Sequence, residues 1–565
     1  MGLSEALEEC VHEAQEGYQQ ENPDVSLRHI GYEPETFWHK LDHLLYLPVL
    51  GLTRPRDLYY YQGQGLQVLY GFTYKYLTLE HFLGHLTRLR LGYPLADVLA
   101  YGYTQACYPG DCPLYLFVDW HVKPHWTKQY AHSGHVTMWG RTMPGTKQLI
   151  VNGPDGWLVG GWNHPIDTHM SHLLVDLEAE LSQTLQRPIV CTIFDSEGGG
   201  QPVGQEYAAA NRCYLSVLSR HHDHSLASFE VEGTWQGVID DPKREAVFAH
   251  WTDAQRAATD PRRFVLLRPV GQTEPTRIYT GRIPAGLPAA IVPWLHRQRW
   301  PCNELRIRDL VNGANLNENY GYTYDEVPNR TRQRQWEKAQ GKVEVSQRKL
   351  DQQQEAIKNL RHQVRQLQQA FSQQTADLRQ TIVQQRHELH QRQRLAKPTT
   401  QVGNRVDRLR RDLAEHTTRF QKRQRALLQR IGRHQSQACQ LRSQLAERMT
   451  LRDAVDTETL CRERRLEKDQ IMLDLQILLT NLHDWAKQHY FASEWQHLTL
   501  EKATQLIYHK PGQVTWYSER IEVVFEPYRY PEHQRAMEAT CRRFNEANVC
   551  WRDGRLLRIS VQRDP

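Results

Sequence analysis

The chain has 565 residues, of which 24% are charged and 39% hydrophobic, and it carries a formal net charge of +5. This length predicts three or four domains, and the longest apolar stretches, such as 287–295, are shorter than the roughly 20 residues that a membrane span needs. Ten cysteines without a CxxC pair argue against a zinc site or a disulfide framework. With no secretory leader at its start, we expect a soluble cytoplasmic protein with no membrane partner.

Residues 1–108 are predicted to form an N-terminal helical domain. Two apolar stretches, 78–90 and 95–99, flank the turn sequence Gly92-Tyr93-Pro94, which is the outline of helix, turn, helix. A domain of this kind can bind DNA ends, or it can serve packing or dimerisation. The residues leave both roles open.

Two buried strands, each ending in an aspartate, are predicted next. The stretches 114–121 and 188–197 are short apolar runs rich in Val, Ile and Phe, and they contain Asp119 and Asp195. Such runs favour central strands of a sheet that is covered on both faces. Carboxylates at strand ends can project from a rigid sheet into a crevice and bind divalent cations there. His121 follows the first acid, and three glycines, 198–200, follow the second.

A third acid is predicted at a helix start. Pro301 suits a first helical turn, and Glu304 would then lie just inside the helix. Glu197 and Glu206 are the alternatives to Glu304 as the third acid. Three converging carboxylates repel one another unless cations neutralise them, and Mg2+ or Mn2+ would do so.

In their order and separation, Asp119, Asp195 and Glu304 resemble the DDE triad of bacterial insertion-sequence transposases. The resemblance implies an RNase H-like catalytic domain over residues 109–329. The strand candidates 135–139 and 147–151, a helix at 171–185, the Asp195 strand and a strand at 213–218 agree with the RNase H-like succession. The β-rich sequence at about 221–288, including stretches 228–231 and 263–267, resembles the β insertion of one large group of these enzymes.

One part of the family pattern does not match. That group has a tyrosine, an arginine, the glutamate and a later lysine at fixed spacings, and the corresponding positions here hold Arg297, Trp300, Glu304 and Val311. Only the glutamate is in register. Arg299, Arg306 and Arg308 could supply phosphate contacts from neighbouring helix positions. The full set of candidates for DNA contact is His121, Lys123, Arg297, Arg299, Trp300, Arg306 and Arg308. The cluster at 221–224 (His-His-Asp-His) is interpreted as a solvated turn.

Residues 330–470 are predicted to be a basic coiled coil. Between Arg330 and Asp469 there are 32 lysine and arginine residues against 16 acidic residues, a net charge of +16, so the remainder of the chain carries −11. Apolar residues at heptad spacing form two seams. The first contains Leu350, Ile357, Leu360, Val364, Leu367, Phe371 and Leu378, and the second contains Val406, Leu409, Leu413, Phe420 and Leu427.

A break at 397–403 separates the two seams, so we expect two long helices. They could fold back as a hairpin or pair with a second subunit, and periodicity does not choose between these arrangements. The excess of arginine favours contact with DNA phosphates. Residues 471–565 are predicted to form a small α+β domain, with a helix at 473–489, a hairpin at 513–525 and a helix at 532–545.

The resemblance implies a DDE transposase that cuts DNA at transposon ends and transfers the strands to target DNA, with Asp119, Asp195 and Glu304 holding two Mg2+ or Mn2+ ions. It also implies double-stranded DNA as the partner, a homodimer in the synaptic complex, and a location in the bacterial cytoplasm at the nucleoid. The alternatives are an RNase H-like nuclease without strand transfer and a domesticated DNA-binding scaffold. The fold expected is therefore an α/β RNase H-like core with a β-rich insertion, an N-terminal helical domain, a coiled-coil hairpin and a C-terminal α+β domain.

Overall fold

The computed structural model describes residues 3–26, 34–61, 65–108, 114–127, 131–219, 225–284, 286–551 and 553–562. The predicted solvated turn at 221–224 lies outside these residues. They separate into two compact units, one formed by 1–326 together with 462–565, and the other by 327–461. The first unit combines the segments predicted as N-terminal, catalytic and C-terminal domains, and the second contains nearly all of the predicted coiled coil.

The fold is mixed α/β, as the sequence predicts. The helices of the described residues are α1 (Leu3–Glu21), α2 (Pro34–Leu45), α3 (Gly65–Tyr70), α4 (Tyr76–Arg88), α5 (Gly92–Cys107), α6 (Leu174–Thr184), α7 (Gln201–Ala209), α8 (Ala254–Thr259), α9 (Val292–Arg297), α10 (Leu305–Gly313), α11 (Arg330–Arg394), α12 (Thr400–Asp453), α13 (Glu467–Tyr490), α14 (Leu500–Ala503) and α15 (Pro531–Glu546). Across the described ranges, none of them combines the length and the apolar character required to cross a membrane.

The strands are β1 (Leu114–Pro124), β2 (Ser133–Val136), β3 (Arg141–Asn152), β4 (Leu158–Pro165), β5 (Ile189–Phe194), β6 (Tyr214–Val217), β7 (Phe229–Val238), β8 (Asp241–Trp251), β9 (Arg263–Pro269), β10 (Arg277–Arg282), β11 (Tyr324–Pro328), β12 (Leu460–Arg464), β13 (Gly512–Trp516), β14 (Arg520–Phe525) and β15 (Leu556–Val561). Ten of these strands form one mixed sheet. Its order is β2-β3-β1-β5-β6-β10-β9-β8-β7, and β4 pairs with β3.

β1 is an interior strand of this sheet, between β3 and β5. β1 runs antiparallel to β3 and parallel to β5, β3 is antiparallel to β4, and β5 is parallel to β6. The β-rich segment continues the same sheet, because β10 pairs antiparallel with β6 and is followed outward by β9, β8 and β7. The predicted β insertion is therefore an extension of the central sheet.

Two details near Asp119 differ from the sequence prediction. The predicted strand 135–139 is only partly correct, since β2 ends at Val136 and residues Thr137–Trp139 form a 3-10 turn. β4 was not predicted, because its paired glycines interrupt the apolar run. A side chain at Gly161 would meet Ile477 and Leu473 of α13 at 3.0 Å, so this glycine lets α13 pack closely on the strand.

The N-terminal helices share an apolar core with α13. α4 covers the predicted stretch 78–90 up to Arg88, and α5 contains the predicted stretch 95–99. One face of α5 is buried, through Leu95, Leu99 and Tyr103 among others. The second helix of the predicted helix-turn-helix, α5, therefore packs inside the first unit.

The second unit is an intramolecular hairpin of α11 and α12. The rings of Phe371 and Phe420 stack with centroids 4.1 Å apart, and a hydrogen bond of 2.6 Å joins His434 to the side chain of Gln353. From Gln353 to Phe371 along α11 the partners run backwards along α12, from His434 to Phe420, which is the antiparallel arrangement. Leu350, Leu360 and Val406 of the predicted seams are buried. The structure thus selects the fold-back arrangement that the sequence left open.

The last part of the first unit is a three-stranded sheet, β13-β14-β15, with α15 against it. The predicted hairpin is β13 and β14, which pair antiparallel. The predicted helices 473–489 and 532–545 lie within α13 and α15.

Candidate active site

Asp119 and Asp195 lie side by side on neighbouring parallel strands. The paired residues of β1 and β5 end with Val118 opposite Phe194, and each aspartate is the next residue in its chain. Adjacent strands are about 4.8 Å apart, and equivalent positions point to the same face. The register alone therefore brings the two carboxylates together.

The position of Asp119 differs from the prediction. Asp195 follows the last residue of β5, as expected, but β1 continues to Pro124 and Asp119 lies in its interior. The strand continues because β3 still pairs with it, with Ile150 opposite Asp119. Asp119 is thus held by backbone pairing on one side and is free of a strand partner on the β5 side.

Glu304 reaches the same region from a π-helical turn, Trp300–Glu304, directly before α10. The buried side chain of Asn303 fastens this turn to the sheet. Its amide nitrogen donates hydrogen bonds to the carbonyl oxygens of Phe117, at 3.0 Å, and Ile150, at 3.3 Å. These carbonyls flank Asp119, so Asn303 fixes Glu304 at the level of the first aspartate.

Arg299 connects two of the three acids. Its guanidinium hydrogen-bonds to the Oδ2 of Asp119 and forms an ion pair of 2.7 Å with the Oε1 of Glu304. The other carboxylate oxygen of Asp119 accepts a hydrogen bond of 2.8 Å from the backbone nitrogen of Trp120. Asp119, Glu304 and Arg299 therefore form one connected group.

The three carboxylates influence one another electrostatically. Burial raises the pKa of Asp119 to about 6; Arg299 and the Trp120 N–H oppose this rise, and the charges of Asp195 and Glu304 add to it. Burial also raises the pKa of Glu304, against Arg299 and with a further contribution from Asp195. Such mutual effects require the three acids to be close together.

A buried histidine lies behind the acids. His296 of α9 packs against the ring of Tyr279, with centroids 5.3 Å apart, and hydrogen-bonds to the backbone of Phe194. Burial, together with the charge of Arg299, lowers its pKa to about 3, so the ring is neutral at pH 7. Its Nε2 has no hydrogen-bond partner within the described ranges.

The loop after Asp195 is fastened by its own contacts. The backbone nitrogen of Ser196 donates to Oδ1 of Asp195 at 2.7 Å, and the Ser216 hydroxyl donates to the Asp195 carbonyl at 2.8 Å. A side chain at Gly199 would come within 2.4 Å of the Val217 carbonyl oxygen. The glycine is needed for packing of this loop against β6.

The predicted DNA-contact residues divide into three groups: one is paired with the acids, two are exposed, and four are paired elsewhere in the protein. Arg299 joins the acids, whereas Trp300 is 60% exposed and Arg308 is exposed. The other four have partners inside the protein. The His121 ring hydrogen-bonds to Asn317, Lys123 is buried against Asp469, Arg297 pairs with Asp240 and Asp241, and Arg306 pairs with Asp484 and Asp309.

Sequence reasoning missed the structural contributions of Asn303, His296 and Ser216, which carry no motif. A scan against protein-family models finds no match for this chain, and a search of curated proteins finds none either. Within the described ranges, no group of three or more His, Cys, Asp or Glu side chains is arranged as a metal site. The Arg299 guanidinium lies between two of the three acids.

Proposed function

We propose that this chain is a DDE transposase, which cleaves DNA at transposon ends and joins the cut strands to target DNA. The observation that carries the proposal is the register of β1 and β5. It places Asp119 and Asp195 next to each other, with Glu304 joined to Asp119 through Arg299. The three acids that resemble the family triad in sequence are thus neighbours in space.

The strand order supports an RNase H-like core. In such a core the strand with the first aspartate lies between an antiparallel strand and the parallel strand of the second aspartate. The order β4-β3-β1-β5-β6 and its directions have this form. The π-turn and α10, which follow the β extension, carry the third acid.

The donor set of three carboxylates fits a hard divalent cation, because oxygen ligands and an excess of negative charge are what Mg2+ and Mn2+ require. Asp119, Asp195 and Glu304 would hold two such ions. When bound, the ions would activate the attacking oxygen and stabilise the leaving oxygen of an in-line phosphoryl transfer. Burial raises the pKa of Asp119, and the charges of Asp195 and Glu304 add a smaller contribution that such cations would relieve.

The protein residues around the acids would bind and orient the DNA. Arg299 pairs with Asp119 and Glu304 in the structure. Once cations neutralise these acids, its guanidinium would be released for bidentate contact with a phosphate. Trp300, whose ring is 60% exposed, would stack on an unpaired base at the cleaved end. In the first step water attacks the phosphodiester and leaves a 3′ hydroxyl. In the second step that hydroxyl attacks target DNA.

The hairpin would bind duplex DNA along its length. Residues 327–461 contain 28 lysine and arginine residues against 13 acidic residues, a net charge of +15. A helix of 65 residues is about 97 Å long, so phosphates over many base pairs can be contacted. A homodimer in the synaptic complex and a location at the bacterial nucleoid belong to the same proposal.

The proposal is tested by incubating the protein with Mg2+ or Mn2+ and a supercoiled plasmid that carries its native flanking DNA. We expect cleavage and joining by the wild type and neither by Asp119→Asn, Asp195→Asn or Glu304→Gln. Asp240→Asn, which removes the partner of Arg297 on the β extension, is the control and should remain active.

Other outcomes would contradict the proposal. Cleavage without joining would identify a nuclease, and DNA binding with no cleavage by the wild type would identify a scaffold. Activity that survives in all three acid variants would place the chemistry elsewhere in the chain.

A further inference from the structure

An exposed pair of tryptophans lies beyond the end of β1. Trp126 is 68% exposed and Trp139 is 51% exposed, and their rings contact edge to face with centroids 5.6 Å apart. Met138 beside them is 58% exposed. Large apolar side chains grouped on a surface commonly mark a binding site.

The guanidinium of Arg141 lies over both rings, 5.0 Å from the centroid of Trp126 and 5.9 Å from that of Trp139. Arg141 is exposed and forms no ion pair within the part of the chain that the structure describes. Trp126, Trp139 and Arg141 together are called the tryptophan platform. The platform therefore offers aromatic surface and a positive charge that is not neutralised by a carboxylate of its own.

The sequence around the platform favours a negatively charged partner. Between Asp119 and Asp155 there is no acidic residue, whereas this stretch contains four lysine and arginine residues and four histidines. The part of β1 that follows Asp119, and the whole of β3, thus carry no acidic side chain. A partner with an aromatic ring and an adjacent negative charge would complement this surface.

A nucleotide has these two properties. Each base presents a flat face for stacking, and base stacking on aromatic side chains is tolerant of sequence. The neighbouring phosphate would bind the guanidinium through charge-assisted hydrogen bonds. A base can stack in this way only when it is unpaired, since a base within a duplex is already stacked on its neighbours.

We propose that the tryptophan platform binds an unpaired base of a DNA strand, with Arg141 on the adjoining phosphate. The platform is rigidly connected to the acids, because β1 runs from Asp119 to Pro124 over about 16 Å. The choice of DNA rests on the proposed function, whereas the stacking and charge arguments do not.

The test uses the full chain and a short oligothymidylate that contains iododeoxyuridine, which crosslinks on illumination to aromatic rings stacked against it. The measurements are peptide mapping of the crosslink and oligonucleotide affinity at elevated salt, where contacts of the basic hairpin are weakened. We expect crosslinks at Trp126 or Trp139. We expect affinity to fall about ten-fold in Trp126→Ala or Trp139→Ala and to be retained in Trp126→Phe.

The control is Trp516→Ala. Trp516 is also exposed and lies under a guanidinium, that of Arg555 at 4.6 Å, but Arg555 is paired with Asp553 at 2.5 Å. This variant should bind like the wild type. Crosslinks confined to other residues, or wild-type affinity in the Trp126→Ala/Trp139→Ala double variant, would overturn the proposal.

The result is separable from the proposed function. Asp119→Asn should keep the crosslink at the platform while losing cleavage. A missing crosslink with normal cleavage rejects the platform alone, and a crosslink in a protein that does not cleave rejects the transposase alone.

Discussion

Asp119 binds a proton more tightly in the folded protein than in an unfolded chain, since its pKa is raised from 3.8 to about 6. A raised pKa of an acid means that the protonated form favours folding. This contribution to stability is complete below about pH 4 and is lost as the pH rises through 6. At pH 8 the ionised Asp119 therefore lowers the stability of the wild type, even with Arg299 beside it.

Asp119→Asn should accordingly gain stability relative to the wild type as the pH is raised, because the amide stays neutral. The quantity to compare is the midpoint of thermal unfolding of the variant minus that of the wild type. We expect this difference to be larger at pH 8 than at pH 4 by roughly 2–4 °C. The exposed Glu206→Gln serves as the control and should show the same difference at both pH values. If the difference for Asp119→Asn were the same at pH 4 and at pH 8, the rise in the pKa of Asp119 on folding would be contradicted.

Asn303 is a positioning residue, and its effect can be separated from stability. Asn303→Ala leaves the carbonyls of Phe117 and Ile150 without their donor, which costs about 1–3 kcal/mol of the free energy of unfolding. Asn481→Ala is matched, because Asn481 donates at 2.8 Å to the Leu158 carbonyl of β4 and accepts from its nitrogen. We expect similar losses of stability in denaturant titrations of both variants.

Only Asn303→Ala should also slow the proposed DNA cleavage, on the order of 100-fold, because the turn that carries Glu304 would shift. Equal cleavage by the two alanine variants would show that Asn303 acts through stability alone. The sequence indicated the three acids through their residue types and order. It did not indicate Asn303 or Arg299 in these roles, because their partners are 186 and 180 positions away.

At the scale of elements, the short β-branched runs predicted β5, β6 and β9 well, since burial on both faces leaves a continuous apolar pattern. β4 was missed because packing of α13 selects glycine there, and glycine reads as a break. The heptad seams predicted two helices and their buried faces. Their pairing within one chain could not be predicted, because an intramolecular and an intermolecular seam have the same periodicity.

The hairpin offers a test of the proposed duplex contact. Lys422, Arg423, Arg425 and Arg430 are exposed residues of α12 that form no ion pair within the described ranges. With all four changed to Gln, the slope of log affinity against log salt for duplex DNA should decrease in magnitude by about 3 to 4. The measurement is a salt titration of binding by the full chain.

A second variant with four Gln substitutions is the matched control. It replaces Lys358, Arg392, Arg410 and Arg419, which pair with acids on their own helices. These charges are already partly neutralised, so their removal should change the slope less. An unchanged slope in the first variant would show that the hairpin does not bind duplex DNA.

At the scale of the molecule, a buried ion pair joins distant parts of the first unit. The Nζ of Lys123 in β1 lies 2.7 Å from Oδ1 of Asp469 in α13, and both side chains are at most 2% exposed. Lys123 also donates to the Glu318 carbonyl at 2.8 Å. Burial alone would raise the pKa of Asp469, but Lys123 and Arg464 lower it below its ordinary value.

Lys123→Met should therefore destabilise the first unit by about 3–5 kcal/mol, because it leaves a buried carboxylate without its closest cation. Arg465→Met removes an exposed pair with Asp325, of 2.6 Å, and should lower the stability much less, because solvent screens an exposed pair. Denaturant titrations of both variants provide the comparison. Equal stabilities would contradict a structural role for Lys123, which sequence reasoning had placed among the DNA contacts.

Both passages of the chain between the two units fall within paired strands. The chain enters the hairpin through β11 and returns through β12, and these strands are neighbours in a two-stranded sheet. The two ends of the 135-residue segment 327–461 are thus held together by the pairing of β11 with β12. A short turn between β11 and β12 could replace the hairpin without rerouting the polypeptide, so the hairpin is a module that could be removed as one piece.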